Sequence, residues 1–390
     1  MSRPDDRARA SAGYRRLKAW LVEAAAPLWS SVGVDGRGAF HETVGQDGVP
    51  IEGPRRARVQ PRQLYALQVA RDLGAAVGPS LLRRGLDTYL AAYIRPDGLV
   101  RAVVDGEGEA LDDHVVLYDQ TFPILALACL KGDLGDEAQA RATDFRAAII
   151  RWLGRSDGGF ETGLEPGPLL ASNPHMHLLE ACLAWVEAGG DAEWGRLAEG
   201  IVALALDRFI DPVSGALREF FDSEWRPAPG EAGRIVEPGH QFEWAWLLLR
   251  WSRLAPRHPR AVAARNAALR LIANGEDHGV DPARGVAFNS LLDDWSIQDA
   301  EARLWPQTER IKAWALAAAQ ADAPWKAVAD AVEGLELYLA TPIRGLWFDR
   351  MTPDGRLIDA PAPASSFYHI VCAIAALGEA LGEERTACEA

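Results

Sequence analysis

EPGHQFEWAW, Glu237 to Trp246, sets polar and aromatic side chains at the start of a helix that continues almost wholly apolar. Five other stretches share that character: PRQLY from Pro61, LYDQTF from Leu117, NPHMHLLEA from Asn173, RLWPQTERIKAW from Arg303 and SSFYHI from Ser365. The six return roughly every sixty residues, the mark of a fold built from one repeated unit. Chemistry placed at the same point of every unit implies one shared pocket.

Hydrophobic periodicity predicts helices near 11–29, 61–76, 78–93, 116–130, 134–152, 173–188, 192–208, 239–253, 258–274, 306–322, 324–340 and 366–382. They come as close pairs, and short connections make paired helices antiparallel neighbours. Between pairs lie stretches such as GALREFFDSEWRPAPGEAGRIV and GLWFDRMTPDGRLIDAPAP, whose turn residues and short alternations read as small hairpins. Gly215, Gly285 and Gly345 open three of them in the same way. The expected fold is all-α: an (α/α)6 barrel of twelve antiparallel helices, with short β-hairpin loops over one end. It is read as a single domain across 1–390, the helical ring running from about 11 to 382. The motif-bearing helices would all point their N-termini into one end, giving it a positive potential. Prolines at Pro61, Pro174 and Pro306 are expected at first helical positions, with Asn173 as an N-cap.

The net charge of −14 argues against a nucleic-acid partner, and no apolar run has membrane-spanning length. The charged N-terminus lacks a secretory signal pattern, so a cytoplasmic address and reduced cysteines (Cys129, Cys182, Cys372 and Cys388) are expected. Walker, GxGxxG, HExxH and paired CxxC motifs are lacking, and the reading includes neither cofactor nor metal. The cluster of Arg55, Arg56, Arg58 and Arg62 could hold a phosphate, but basic loop residues are more often merely solvated.

His177, His240 and His369 stand at the starts of three inner helices and are read as equivalent positions, with the chemistry of proton transfer near neutrality. His175, two residues from His177, points the other way. Glu243 and Trp244 share a face with His240, Glu309 follows Trp305 by one turn, and Arg62 with Tyr65 and Tyr118 with Phe122 repeat the pairing of a polar group with a ring. Of the many tryptophans, Trp152, Trp185 and Trp251 are expected in the core.

The segments NPHMHLLEA, EPGHQFEWAWLL, RLWPQTE and FYHI resemble those of the N-acylglucosamine 2-epimerase superfamily, over about 15–382, the RLWPQTE form being most similar to its D-mannose isomerase branch. The resemblance implies metal-free sugar chemistry on a monosaccharide, with His240 and His369 on opposite sides of the C1–C2 bond. It also implies catalytic roles for Glu243 and Arg62, and substrate contacts from His177, Asn173, Trp305, Glu309 and Tyr118. On this reading His369 carries a proton between C2 and C1, and His240, oriented by Glu243, opens the ring. The expected activity is isomerisation of D-mannose, and of related aldoses such as D-lyxose, to the ketose through a cis-enediolate. A 2-epimerase is the alternative; a glycoside hydrolase using Asp119, Glu243 or Glu309, and an inert sugar-binding barrel, rank below it.

Overall fold

The computed structural model describes residues 4–165, 167–320 and 323–383. Six helices form an inner ring: α2 (Val59–Asp72), α4 (Leu117–Cys129), α6 (Ser172–Glu187), α8 (Pro238–Leu254), α10 (Leu304–Gln320) and α12 (Ala364–Leu381). Six lie outside them: α1 (Pro4–Trp20), α3 (Pro79–Tyr93), α5 (Asp136–Leu153), α7 (Ala192–Leu204), α9 (Ala261–Gly279) and α11 (Trp325–Leu339). Each inner helix packs on the next, and α12 closes the ring against α2. Each outer helix packs on the inner helix before it in the chain, while α1 sits against α11 and α12. This is the expected (α/α)6 barrel.

The two layers differ because they are wetted differently. Outer helices bury one stripe, such as Leu82, Leu86, Tyr89 and Tyr93 on α3, whereas inner helices are buried on nearly every side. By length and composition α12 would cross a membrane, but here it is inner wall, 67% of it buried.

One contact recurs around the ring. The loop leaving each outer helix is held by a side chain near the start of the following inner helix. Gln60 accepts from the Phe40 N–H and donates to its carbonyl, both at 2.8 Å. Gln120 does the same for Val100, Gln241 for Leu217 and Gln307 for Ala287. His175 takes this place in the third unit: its Nδ1–H faces the Ala171 carbonyl at 2.9 Å, and its Nε2 accepts from the Phe160 N–H at 3.1 Å. In the sixth unit Phe367 stacks on Trp347 instead, ring centroids 5.7 Å apart.

A second tie lies just above. The residues leading into each inner helix pair antiparallel with the hairpin beyond the next outer helix, as Leu170–Ala171 with Phe220–Phe221 and Ala302–Arg303 with Arg350–Met351. Ala362–Pro363, leading into α12, pairs with Thr43–Val44 after α1, so the last unit is stitched to the first.

Helix boundaries differ from expectation at instructive points. Pro61, Pro174 and Pro306 occupy third, not first, helical positions, still within the turn whose N–H groups have no helical partner. Asn173 is therefore inside α6 and does not cap it; the cap position is Ala171, in extended backbone. Helix α9 runs on to Gly279 because Gly275 and Gly279 admit the Phe242 ring and Pro238, which a Cβ would meet at 2.9 and 2.6 Å. Helix α10 ends at Gln320; the two further positions expected for it lie outside the described residues, as does Cys388. Cys182 and Cys372 are buried thiols and Cys129 is half-buried. Trp185 and Trp251 are core, but Trp152 is 43% exposed, on the outer face of α5 with Arg151 over its ring.

Replacing Gln241 by Leu should strand both polar groups of the buried Leu217 peptide unit. At about 1–3 kcal/mol for each orphaned group, we expect a loss of roughly 2–4 kcal/mol, read from the denaturant midpoint. An unchanged midpoint would show that this contact is not a structural tie.

Candidate active site

Counting from the loop-holding residue sorts the inner face into layers. Two positions on, and so on the opposite side of the helix, stand Arg62, Phe122, His177, Glu243, Glu309 and His369. Two positions before stand Arg58, Tyr118, Asn173, Gly239, Trp305 and Ser365. Most of the second set forms a mouth and most of the first a floor around a cavity of about 520 Å³, with Phe122, Gly239 and Glu309 set behind its lining. Gly239 is a necessity there, since a Cβ would meet the Trp305 indole at 2.4 Å. That indole sits beside both flanking histidines, 5.0 Å from the His240 ring and 5.8 Å from His369.

Each pocket histidine turns Nδ1 to a carboxylate. His369 lies 2.8 Å from Glu309 Oε1, His240 2.9 Å from Glu219 Oε2, and His177 3.3 Å from Glu180 Oε2. A carboxylate acceptor fixes the proton on Nδ1 and leaves Nε2 for the cavity. The environments then diverge. Burial works against charge on His240, but Glu219, Glu237 and Glu243 outweigh it and push the imidazole up to about 10. At His369 burial is reinforced by Arg62, Lys312 and His177, which hold it well below its usual value. Near neutrality one histidine is a cation able to donate and the other a neutral base, the separation by which acid and base roles are recognised. His177 is driven down to about 4, by burial first and also by Arg62, against Glu180.

Arg62 is 4% exposed, donates to Tyr118 Oη at 2.7 Å and lies 4.0 Å over the Phe122 ring. Burial opposes its charge, yet Tyr118, Tyr368 and Glu243 keep it a cation. Among the described residues its Nε has no hydrogen-bond partner, and neither have the two oxygens of Glu243 or the Asn173 Oδ1. Burial, then Glu309, pushes the Glu243 carboxyl well above its normal range. A fixed cation, a carboxyl biased towards its neutral form and an open amide oxygen thus face one cavity between an imidazolium and an imidazole.

The N-acylglucosamine 2-epimerase (GlcNAc 2-epimerase) family model matches residues 38–373. The chain belongs to this family. A mannose-6-phosphate isomerase of Rhizobium meliloti (strain 1021) is 44% identical over 94% of this chain and 96% of its own length. A D-mannose isomerase of Thermobifida fusca is 26% identical over 56% of this chain and 57% of its own. Among solved structures, a D-mannose isomerase superposes with a TM-score of 0.84 at 19% identity, covering 94% of this chain and 97% of that one. The protein is an enzyme of a family of isomerases and epimerases.

Within this family frame, several expectations change. His177 and His369 are equivalent positions, but His240 is not their counterpart: Glu243 is, and His240 stands one turn nearer the mouth. Glu243 does not orient His240; Glu219 does, with Glu237 at 3.5 Å, while Glu243 lies 3.8 Å from His177. Glu309 does not reach the cavity wall, being fully buried behind His369. Trp244 is buried against Phe209 and offers no stacking face. Arg62, Tyr118, Asn173, His177, His240, Glu243, Trp305 and His369 all line the cavity.

Sequence reasoning missed Glu219, Glu180 and Lys312. Glu180 follows His177 by three and was detectable as a helix pair. Glu219 arrives from a hairpin with no periodicity to mark it. Three histidine–carboxylate groups have ligand atoms within 4.8 Å of one another, the spacing a metal ion needs. In each, the histidine Nδ1 already faces a carboxylate oxygen at hydrogen-bond distance, and a cation between them would break that contact.

Because Glu219 is the leading charge holding the His240 proton, Glu219→Gln should bring the alkaline limb of kcat/KM down from about 10 by one unit or more. The acid limb should stay in place. A kcat/KM profile superimposing on that of the wild type would rule out the Glu219–His240 pair as the acid.

Proposed function

We propose that this enzyme is an aldose–ketose isomerase interconverting D-mannose, and related aldoses such as D-lyxose, with the ketose. The observation that carries the reading is the opposed surroundings of two histidines flanking one indole: carboxyl groups raise His240, while burial and the cations Arg62 and Lys312 lower His369. The full-length relative named for a mannose-phosphate isomerisation supports it.

The imidazolium of His240 donates to the ring oxygen as the C1–O5 bond breaks, and the imidazole so formed takes back the O1 proton as the carbonyl forms. His369 Nε2 then takes the C2 proton, the electron pair moves into a C1–C2 double bond, and charge collects on the enediolate oxygens. Arg62, buried and unable to lose its charge, steadies that anion, the electrostatic contribution that is usually largest. Return of the same proton to C1, with a hydroxyl proton passing from O2 to O1, yields the ketose. The Glu243 carboxyl, pushed up by burial, faces the cavity and serves the oxygen-to-oxygen transfer. Delivery of a proton to C2 from the His240 side would instead give the epimer.

Mannose deuterated at C2 should yield fructose carrying part of the label at C1, and His369→Asn should lower turnover by about 10² to 10⁴-fold. Glucose as first product would replace isomerase by 2-epimerase, and undiminished isomerisation in His369→Asn would end the proposed role of that residue.

A phosphorylated hexose is the second reading, favoured by the mouth's charge asymmetry. Arg303, Ser365, Ser366, Arg56 and Arg58 come from the adjacent fifth, sixth and first units, while Glu219 and Glu237 flank His240 on the other side. Arg303 is 44% exposed and only loosely tied to Asp349, at 3.3 Å. If a phosphate sits there, Arg303→Met should lower kcat/KM for mannose 6-phosphate by about ten- to a hundredfold and leave mannose nearly unaffected. Equal effects on both sugars would restrict the enzyme to unphosphorylated substrate.

A further inference from the structure

Beneath the floor of the site lies a lysine with no route to solvent. Lys312 and Glu309 are both fully buried, one turn apart on α10, with Nζ 2.6 Å from Glu309 Oε2. The other Glu309 oxygen, Oε1, is the one facing His369 Nδ1 at 2.8 Å. Lys312 Nζ also lies 3.9 Å from the centroid of the Trp246 ring, so its cation is braced from the side by an indole. Imidazole, carboxylate and ammonium thus form a line running from the cavity into the barrel.

The charges around this line make the ammonium necessary. Arg62 approaches His369 from α2, His177 and Glu180 from α6, Glu243 from α8, and Tyr368 and Cys372 from α12. Three carboxyl groups, Glu180, Glu243 and Glu309, therefore share one dry space. Burial, then Glu180, leaves the Glu309 carboxyl raised on balance, and Lys312, with His177, limits that rise. Were Glu309 to take a proton, it could donate to His369 Nδ1. The imidazole would then carry its proton on Nε2, the atom that must be bare.

We propose that Lys312 is a positioning residue for the isomerisation, a permanent buried cation that keeps Glu309 an acceptor and so holds His369 in the tautomer whose Nε2 faces the sugar. The inference rests on His369 being the base of the proposed reaction. Lys312 touches no substrate: it lies one layer below the residues that line the cavity.

The test is the pH dependence of mannose turnover in Lys312→Met, Lys312→Arg and Glu309→Gln/Lys312→Met. Loss of a unit charge 2.6 Å away in a poorly screened interior shifts a carboxyl by about two pH units or more. In Lys312→Met the acid limb of kcat/KM should rise by that much, activity should recover towards alkaline pH, and KM should change little. Lys312→Arg should keep the limb near the wild-type position. In the double variant this rise should vanish, because the Glu309 carboxyl is no longer there to titrate. Nitrogen shifts of labelled histidine should place the His369 proton on Nδ1 in the wild type and on Nε2 in Lys312→Met at neutral pH. An unmoved limb in Lys312→Met, or a pH-independent loss of turnover, would overturn the inference while leaving the role of His369 intact. Full activity in His369→Asn would remove the reading on which it rests. If Lys312→Met does not fold, the double variant, which deletes both charges together, should; failure of both would make Lys312 a purely structural residue.

Discussion

One constraint governs the rest of this molecule: a single side chain near the start of each inner helix must hold the preceding loop, in five of the six by hydrogen-bonding its buried backbone. A glutamine amide does this completely, accepting from the N–H and donating to the carbonyl, and it can do so only with the helix rotated one way. With that rotation set, the residues two before and two after are compelled to face the bore. The mouth and floor of the active site follow from where the loops need hydrogen bonds. The Phe367–Trp347 stack performs the same task in the sixth unit without any polar atom.

The second consequence is electrical. A cavity floored by carboxyl groups would be a poor place to build negative charge on a sugar, yet each acid here has a job other than repelling the substrate. Glu219, Glu309 and Glu180 are turned to Nδ1 atoms, Lys312 and Arg62 supply fixed cations, and Glu243 is driven towards its neutral form. The same residue types give opposite results at two histidines: His240 has three carboxyl groups around it, whereas His369 has two fixed cations and a second imidazole.

Much of this was legible in the chain. The six helix starts, their common direction and the pocket that they share follow from periodicity and spacing, and eight of the nine expected site residues line the cavity. What was not legible has physical reasons. Gln60, Gln120, Gln241 and Gln307 stood in or beside the quoted motifs, but their partners lie 20 or 24 residues upstream in hairpins with no regular pattern. Without them the layers could not be counted, and His240 was set level with His177 and His369. Glu219 reaches His240 through the same irregular backbone. The partner of His240 was therefore sought one turn along its own helix, where Glu243 stands.

The closure of the ring also bears on how the enzyme comes to be active. Gln63 on α2 donates to the Ala364 carbonyl, 301 positions away, and Thr43–Val44 pairs with Ala362–Pro363. Contacts so distant in sequence form late, after the intervening units have condensed. His369 belongs to the helix that makes them. Until that stitch forms, five units frame a half-built bowl that lacks His369, so on the proposed reaction the sealing of the barrel and the completion of the site are one event.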